Sequence, residues 1–318
     1  MPAFPDDLIS VDDLTAEQLL DVLDLADELR EERALAIAQG RSSVRDVLRG
    51  RTVALVFEKP STRTRVSFQV GVAELGGNPL TLSSAELQLG RGETVADTGA
   101  VLSRYVHAIV IRTFGQDRLV ELAAAADVPV VNALTDREHP CQALADLQTL
   151  RQATGGLEGH TLAYVGDGNN VAHSLLLAGA KVGLSVHVAH PEGFAPDPSI
   201  VERSREIAAT TGAAILVTTD ARESVTGADA VYTDVWASMG QEDEAAERLA
   251  AFEEYRVTAD LMAHTAPGAI FLHCLPAHRG EEVSAEVIDG DASRVFDQAE
   301  NRLHAQKALL VRLLGDRS

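Results

Sequence analysis

Between residues 14 and 39 (LTAEQLLDVLDLADELREERALAIAQ) apolar positions recur at helical spacing, opened by Asp13 and closed by Gly40, and the pattern predicts a long first helix. The period then shortens. TVALVF (52–57) is a short β-rich run, and PLTLS (79–83), HAIVIRT (107–113) and VPVVNA (128–133) read as further strands. Between them EKPSTRTRVSFQVGVAELGG reads as a turn and a helix ending in glycine, LQLGRGET (87–94) as a loop, 94–104 as helix, and ADLQTL after HPCQ as another helix. Past the glycine-bearing stretch QATGGLEGH (152–160) the pattern restarts. TLAYVGD (161–167), LSVHVAH (184–190), AAILVT (213–218), DAVYTDV (229–235) and AIFLHCL (269–275) read as strands with helices between, and ENRLHAQKALLVRLL as a closing amphipathic helix. Strands alternating with helices predict parallel sheets covered on both faces. The fold class is α/β, two doubly wound parallel-sheet domains over 1–150 and 151–302, whose ligands sit at the carboxyl ends of strands.

Composition narrows this. A chain of 318 residues suits two cores, and 46% hydrophobic with 24% charged residues is the balance of a folded protein. No apolar run approaches the roughly 20 residues that span a bilayer, and the acidic N-terminus lacks a signal-peptide pattern, so a cytoplasmic location is expected. Cys141 and Cys274 form neither a disulfide framework nor a metal-binding spacing; no metal is predicted. Acidic residues exceed basic ones by 48 − 27 = 21, and Lys59, Lys181 and Lys307 are the only lysines. Such a surface repels nucleic acid and anionic membranes, which argues against both as partners. An acidic, soluble enzyme is the plain reading and adaptation to a high-salt cytosol the sharper one.

Polar clusters follow the predicted strands. Pro60 ends an extended segment, so Ser61, Thr62, Arg63 and Thr64 open a helix whose N–H groups, hydroxyls and guanidinium suit a phosphate. A well-capped helix with surface arginines is the alternative, with Arg65 in a structural ion pair. Arg112 closes HAIVIRT, and His139-Pro140-Cys141-Gln142 follows VPVVNALTDRE. Arg112 and His139 can donate to a carbonyl oxygen that gains charge, Gln142 can accept from an NH₂ group, and Cys141 faces the core. In the second half, Gly166-Asp167-Gly168-Asn169-Asn170, Asp234-Val235-Trp236-Ala237-Ser238-Met239-Gly240 and His273-Cys274-Leu275-Pro276 each follow a strand. The first lacks the spacing of a dinucleotide loop.

STRTRVSF, a strand-end arginine and HPCQ together resemble the carbamoyltransferases, and GDGNN, DVWASMG and HCLP are similar to the ornithine branch of that family. The resemblance spans roughly 50–315. It implies transfer of a carbamoyl group from carbamoyl phosphate to the side-chain amine of L-ornithine, giving L-citrulline and phosphate without a cofactor. Carried over by residue, it implies that Ser61, Thr62, Arg63 and Thr64 hold the phosphate and that Arg112 bridges phosphate and carbonyl. His139 donates to the carbonyl oxygen, joined by Arg302, while Gln142 and the backbone of Cys274 and Leu275 orient the NH₂. Asn170, Asp234, Ser238 and Met239 bind ornithine, and Arg112, His139 and Cys274 carry the chemistry. The resemblance further implies that residues 1–150 bind carbamoyl phosphate and 151–302 bind ornithine. It returns the helix at about 303–318 to the first domain, and it has Gln88 reach a neighbouring subunit's site in a trimer or a multiple of trimers. Rival readings are an aspartate acceptor, a modified amine acceptor, a non-catalytic ligand-binding paralogue and a nicotinamide dehydrogenase. Whether the cell uses the reaction for synthesis or for breakdown stays open.

Overall fold

The computed structural model describes residues 3–42, 45–83, 92–237 and 244–315. The chain separates into two compact units, residues 1–148 with 300–318 and residues 149–299.

In the first unit these runs become β1 (Thr52–Phe57), β2 (Asn78–Ser83), β3 (Ala108–Arg112) and β4 (Val130–Leu134), all parallel in the order β2-β1-β3-β4. β3 and β4 are buried along their whole length, the condition of a parallel sheet covered by helices on both faces. The helices are α1 (Ala16–Ala38), α2 (Thr62–Glu74), α3 (Val95–Leu102), α4 (Gln116–Ala125) and α5 (Pro140–Thr154). Thr15 caps α1 through a reciprocal capping box with Gln18. The sequence reading leaves α4 without an element, although it packs Leu119 and Leu122 against the sheet. Register decides the function of this half. Phe57 lies beside Arg112, which pairs with Leu134 across a bulge, so the segments carrying Ser61, Arg112 and His139 all leave the same edge of one sheet.

The second unit holds β5 (Thr161–Val165), β6 (Ser185–Ala189), β7 (Ile215–Thr218), β8 (Ala230–Thr233) and β9 (Ile270–His273), parallel in the order β7-β6-β5-β8-β9. Between them run α6 (Asn170–Lys181), α7 (Pro198–Thr211), α8 (Ala221–Val225), α9 (Ala245–Phe252) and α10 (Ala259–Met262), with α11 (Ala285–Ile288) following β9. β5 and β8 are neighbours, and so are β8 and β9, with Thr233 beside His273. Asp234 and Cys274 therefore emerge side by side. Gly168 packs under the Ala195–Pro196 backbone, where a Cβ would lie 2.1 Å from the Pro196 nitrogen, so this turn admits no side chain.

The final helix corrects the sequence reading. α12 (Val295–Leu314) starts five residues before the expected segment, and its polar positions are not a solvent face. Asn301, Arg302, His304, Gln306 and Lys307 are all buried. Lys307 Nζ donates to Glu74 Oε2 at 2.7 Å, and Gly71 lets α12 approach α2 closely enough for the Lys307 stem to pack on it. Period alone cannot tell a solvated polar face from one that is paired inside.

Candidate active site

In the first unit Ser61 caps α2, its Oγ accepting the Thr64 N–H at 3.3 Å. No acidic residue stands in the first turn, so the helix end keeps its positive character. Thr64 is fully buried and its hydroxyl accepts from the Arg302 guanidinium, 238 positions away in sequence. Ser61 and Arg63 are half-buried, and Thr62 and Arg65 are exposed. Arg112 and His139 are buried. Burial, reinforced by the Arg302 and Arg112 charges, holds the His139 imidazole well below its ordinary pKa. The ring is neutral at pH 7 and keeps one N–H to donate, so it acts here as a hydrogen-bond donor without carrying charge. Gln142 Nε2 donates to Asp146 Oδ1 at 2.7 Å, while Oε1 finds no hydrogen bond among the described residues and is left to accept. Burial pushes the Cys141 thiol up to about 12, and it points to the Asn132 carbonyl at 3.4 Å as a core residue.

Glu138, beside His139, is a second titratable group the sequence did not single out. Its Oε2 accepts the Val11 N–H at 3.0 Å and its carboxyl is also bonded by the Ser10 side chain. Burial raises it to about 7, with Asp13 adding to the rise and Arg137 opposing it. A raised carboxyl favours the folded state below its unfolded value near 4.5 and loses that contribution as pH climbs through 7. The span is worth at most about 3 kcal/mol. Thermal melts of the wild type should fall in Tm between pH 5 and pH 8, and Glu138→Gln should remove most of that slope. Equal slopes in both proteins would refute the assignment.

The second unit gathers Asp234, Cys274 and the turn after β5. Cys274 Sγ donates to Asp234 Oδ1 at 2.9 Å, and Asn169 Nδ2 donates to Asp234 Oδ2 at 3.1 Å. Asn169, to which the sequence reading gave no role, makes this contact. It is the cap of α6, its Oδ1 accepting the Val171 and Ala172 N–H groups, while Asn170 stands half-buried as the first helical residue. An asparagine just before a helix is a cap signal, and that signal distinguishes the adjacent pair. Tyr164 donates its hydroxyl to the same Asn169 oxygen at 3.3 Å.

Leu275 has a φ of 57°, a left-handed conformation that costs a leucine roughly 1–2 kcal/mol. Its N–H is held by His273 Nδ1 at 2.8 Å, which places the imidazole proton on Nε2, 3.1 Å from Glu282 Oε1. Burial works against the Glu282 charge, but hydrogen bonds from His273 and the His278 N–H hold its carboxyl below the ordinary range. The sequence reading quoted His273 only as part of HCLP and did not single out Glu282; the pair holds the Leu275 N–H in place. Asp234, His273 and Cys274 offer oxygen, nitrogen and sulfur within 4.8 Å of one another. Both His273 nitrogens already have partners, so the group is built as a hydrogen-bond network. Gln88, Ser238 and Met239 lie outside the described residues.

Two parallel α/β units with polar clusters past their strand ends are the class of two-domain α/β proteins that hold small polar ligands there. Two family models divide the chain: the carbamoyl-P binding domain of aspartate/ornithine carbamoyltransferase matches residues 6–152, and the Asp/Orn binding domain matches 158–313. The chain belongs to the aspartate/ornithine carbamoyltransferase family. It is 60% identical to an ornithine carbamoyltransferase of Parafrankia sp. over 96% of this chain and 94% of that one. It is 56% identical to that of Methanothermobacter thermautotrophicus over 97% and 99%. The solved ornithine carbamoyltransferase of Pyrococcus furiosus superposes with a TM-score of 0.93 at 49% identity, covering 99% of each chain. No helix among the described residues is long and apolar enough to cross a membrane.

Proposed function

We propose that this chain transfers the carbamoyl group of carbamoyl phosphate to the side-chain amine of L-ornithine, forming L-citrulline and phosphate. The observation that carries the reading is a neutral, buried His139 flanked by the charges of Arg112 and Arg302, with Arg302 also bonded to Thr64 at the start of α2. In a chain of net charge −21 this is a local island of positive potential suited to a dianion. The acceptor choice is supported by Asp234, a carboxylate for a cationic amine, and by relatives that carry the ornithine name.

On this reading the first unit binds the donor. Ser61, Thr62, Arg63 and Thr64 hold the phosphate, and Arg112 reaches both phosphate and carbonyl. His139 and Arg302 donate to the carbonyl oxygen, and Gln142 Oε1 accepts from the NH₂ together with the Cys274 and Leu275 backbone. The second unit binds ornithine through Asp234 and Asn170, with Ser238 and Met239. A free alkyl amine has a pKa near 10.4, so the ornithine ammonium must first release one proton to solvent; the proton that phosphate later takes is the second, lost after attack. Desolvation beside the Cys274 thiol favours the neutral form. Nitrogen then attacks the carbonyl carbon, the charge on oxygen faces Arg112 and His139, and the bond to the phosphate oxygen breaks. The leaving phosphate takes the amine proton. No metal or organic cofactor enters these steps.

The same reading makes the protein a cytoplasmic enzyme of arginine metabolism and a trimer or multiple of trimers in which Gln88 reaches a neighbouring site. Exposed Val66 on α2 and Leu80 on the edge strand β2 favour a subunit contact on the first unit. The deciding assay is citrulline release from ornithine and carbamoyl phosphate at low and at molar salt, with aspartate as the control acceptor. No citrulline in either condition refutes the function. Cys274→Ser should raise the KM for ornithine about tenfold, the scale of one altered hydrogen bond to a charged group. Calorimetric binding of carbamoyl phosphate should persist; equal loss of both contradicts the division of labour.

A further inference from the structure

Arg248 lies on α9 and takes part in none of the steps above, yet it is buried and bonded through Nη1 and Nε. Its Nη1 donates to Asp167 Oδ2 at 2.9 Å and to the Trp236 carbonyl at 3.1 Å, and its Nε donates to Glu244 Oε2 at 3.0 Å. The guanidinium stands 5.0 Å from the centre of the Phe194 ring, which packs on Phe252, as Trp236 does. A long, rotamer-rich side chain is thus immobilised at three acceptors and one aromatic face, at an entropic cost a surface ion pair would not recover. Its acceptors are not arbitrary. Asp167 belongs to the turn whose Asn169 holds Asp234, and Trp236 follows Asp234 by two residues.

We propose that Arg248 is a positioning residue for the amino-acid acceptor: through Asp167 and the Trp236 carbonyl it sets the Gly166–Asn170 turn against the Asp234 segment, and so aligns Asn169, Asp234 and Cys274. This rests on the acceptor reading given above. The links run Arg248 to Asp167, along the turn to Asn169, then to the Asp234 carboxylate and the Cys274 thiol. Methionine in place of Arg248 keeps the apolar stem and removes every donor. Lysine keeps the charge but, as a compact ammonium, cannot bridge the same acceptors in a fork.

The test measures KM for both substrates in Arg248→Met, Arg248→Lys and Asp167→Asn, and the rate at which iodoacetamide alkylates Cys274 in each. Cys141, being buried, stays silent in the alkylation. Arg248→Met should raise the ornithine KM about ten- to a hundredfold, the range for a lost hydrogen bond to a charged group. The carbamoyl phosphate KM should stay within about twofold, since the first unit is untouched, and Arg248→Lys should recover part of the loss. Cys274 should alkylate at least about threefold faster once Asp234 is no longer held against it. An unchanged ornithine KM, or equal rises for both substrates, overturns the proposal. Should Arg248→Met not fold, Asp167→Asn carries the same expectation while leaving Arg248 on Trp236 and Glu244. If the wild type releases no citrulline, the acceptor reading fails and the alkylation rates alone decide the inference: equal rates in wild type and variants refute it.

Discussion

Replacing Arg112 with methionine should lower kcat for citrulline formation by about a hundred- to a thousandfold, the loss that follows removal of one donor to a developing oxyanion. Arg112 ends β3 beside Phe57 and is buried, so its guanidinium is fixed by the sheet and not by a mobile loop. A donor fixed in advance needs little reorganisation when charge appears on the carbonyl oxygen, and that is why its loss falls on kcat. Methionine keeps the stem and the packing, so the sheet should survive. Lysine should restore part of the rate, because charge is kept and the two-pronged geometry is not. A second readout follows from the charges around His139. Arg112 is one of the groups that hold that imidazole low, after burial and Arg302, so its removal should move the His139 titration upward in an NMR experiment. Unchanged turnover in Arg112→Met would remove this arginine from the reaction.

The second large effect is expected at Asp234. Asp234→Asn keeps the shape of the side chain and an oxygen for the Cys274 thiol, while removing the charge that on the proposed reading meets the ornithine cation. Loss of one member of a buried, hydrogen-bonded charge pair costs about 2–5 kcal/mol, so kcat/KM for ornithine should fall by about thirty- to several-thousandfold. Binding of carbamoyl phosphate, measured by calorimetry without ornithine, should be unaltered because Asp234 belongs to the other unit. Wild-type use of ornithine by this variant would mean that another group recognises the amine.

Much of this was legible in the chain because the signals are local. A buried parallel strand needs a short run of β-branched residues, a helix needs its period and its caps, and ligand groups in α/β sheets follow the strands. Those rules place all nine strands described here and the segments bearing Ser61, Arg112, His139, Asp234 and Cys274. Family resemblance, not periodicity, supplied the identity of the ligands.

What only the tertiary structure decided is pairing. The order β2-β1-β3-β4 puts β1 and β3 side by side although β2 comes between them in sequence, and this brings Arg112 to the segment leading to Ser61. Arg302 reaches Thr64, Lys307 reaches Glu74, and Asn169 meets Asp234. The buried polar face of α12 looks in sequence like a solvated one. Hydrophobic pattern reports where apolar positions are buried, because that depends on the residue and its near neighbours. A hydrogen bond or ion pair between distant residues depends on how the backbone brings two segments together, and no single segment carries that information.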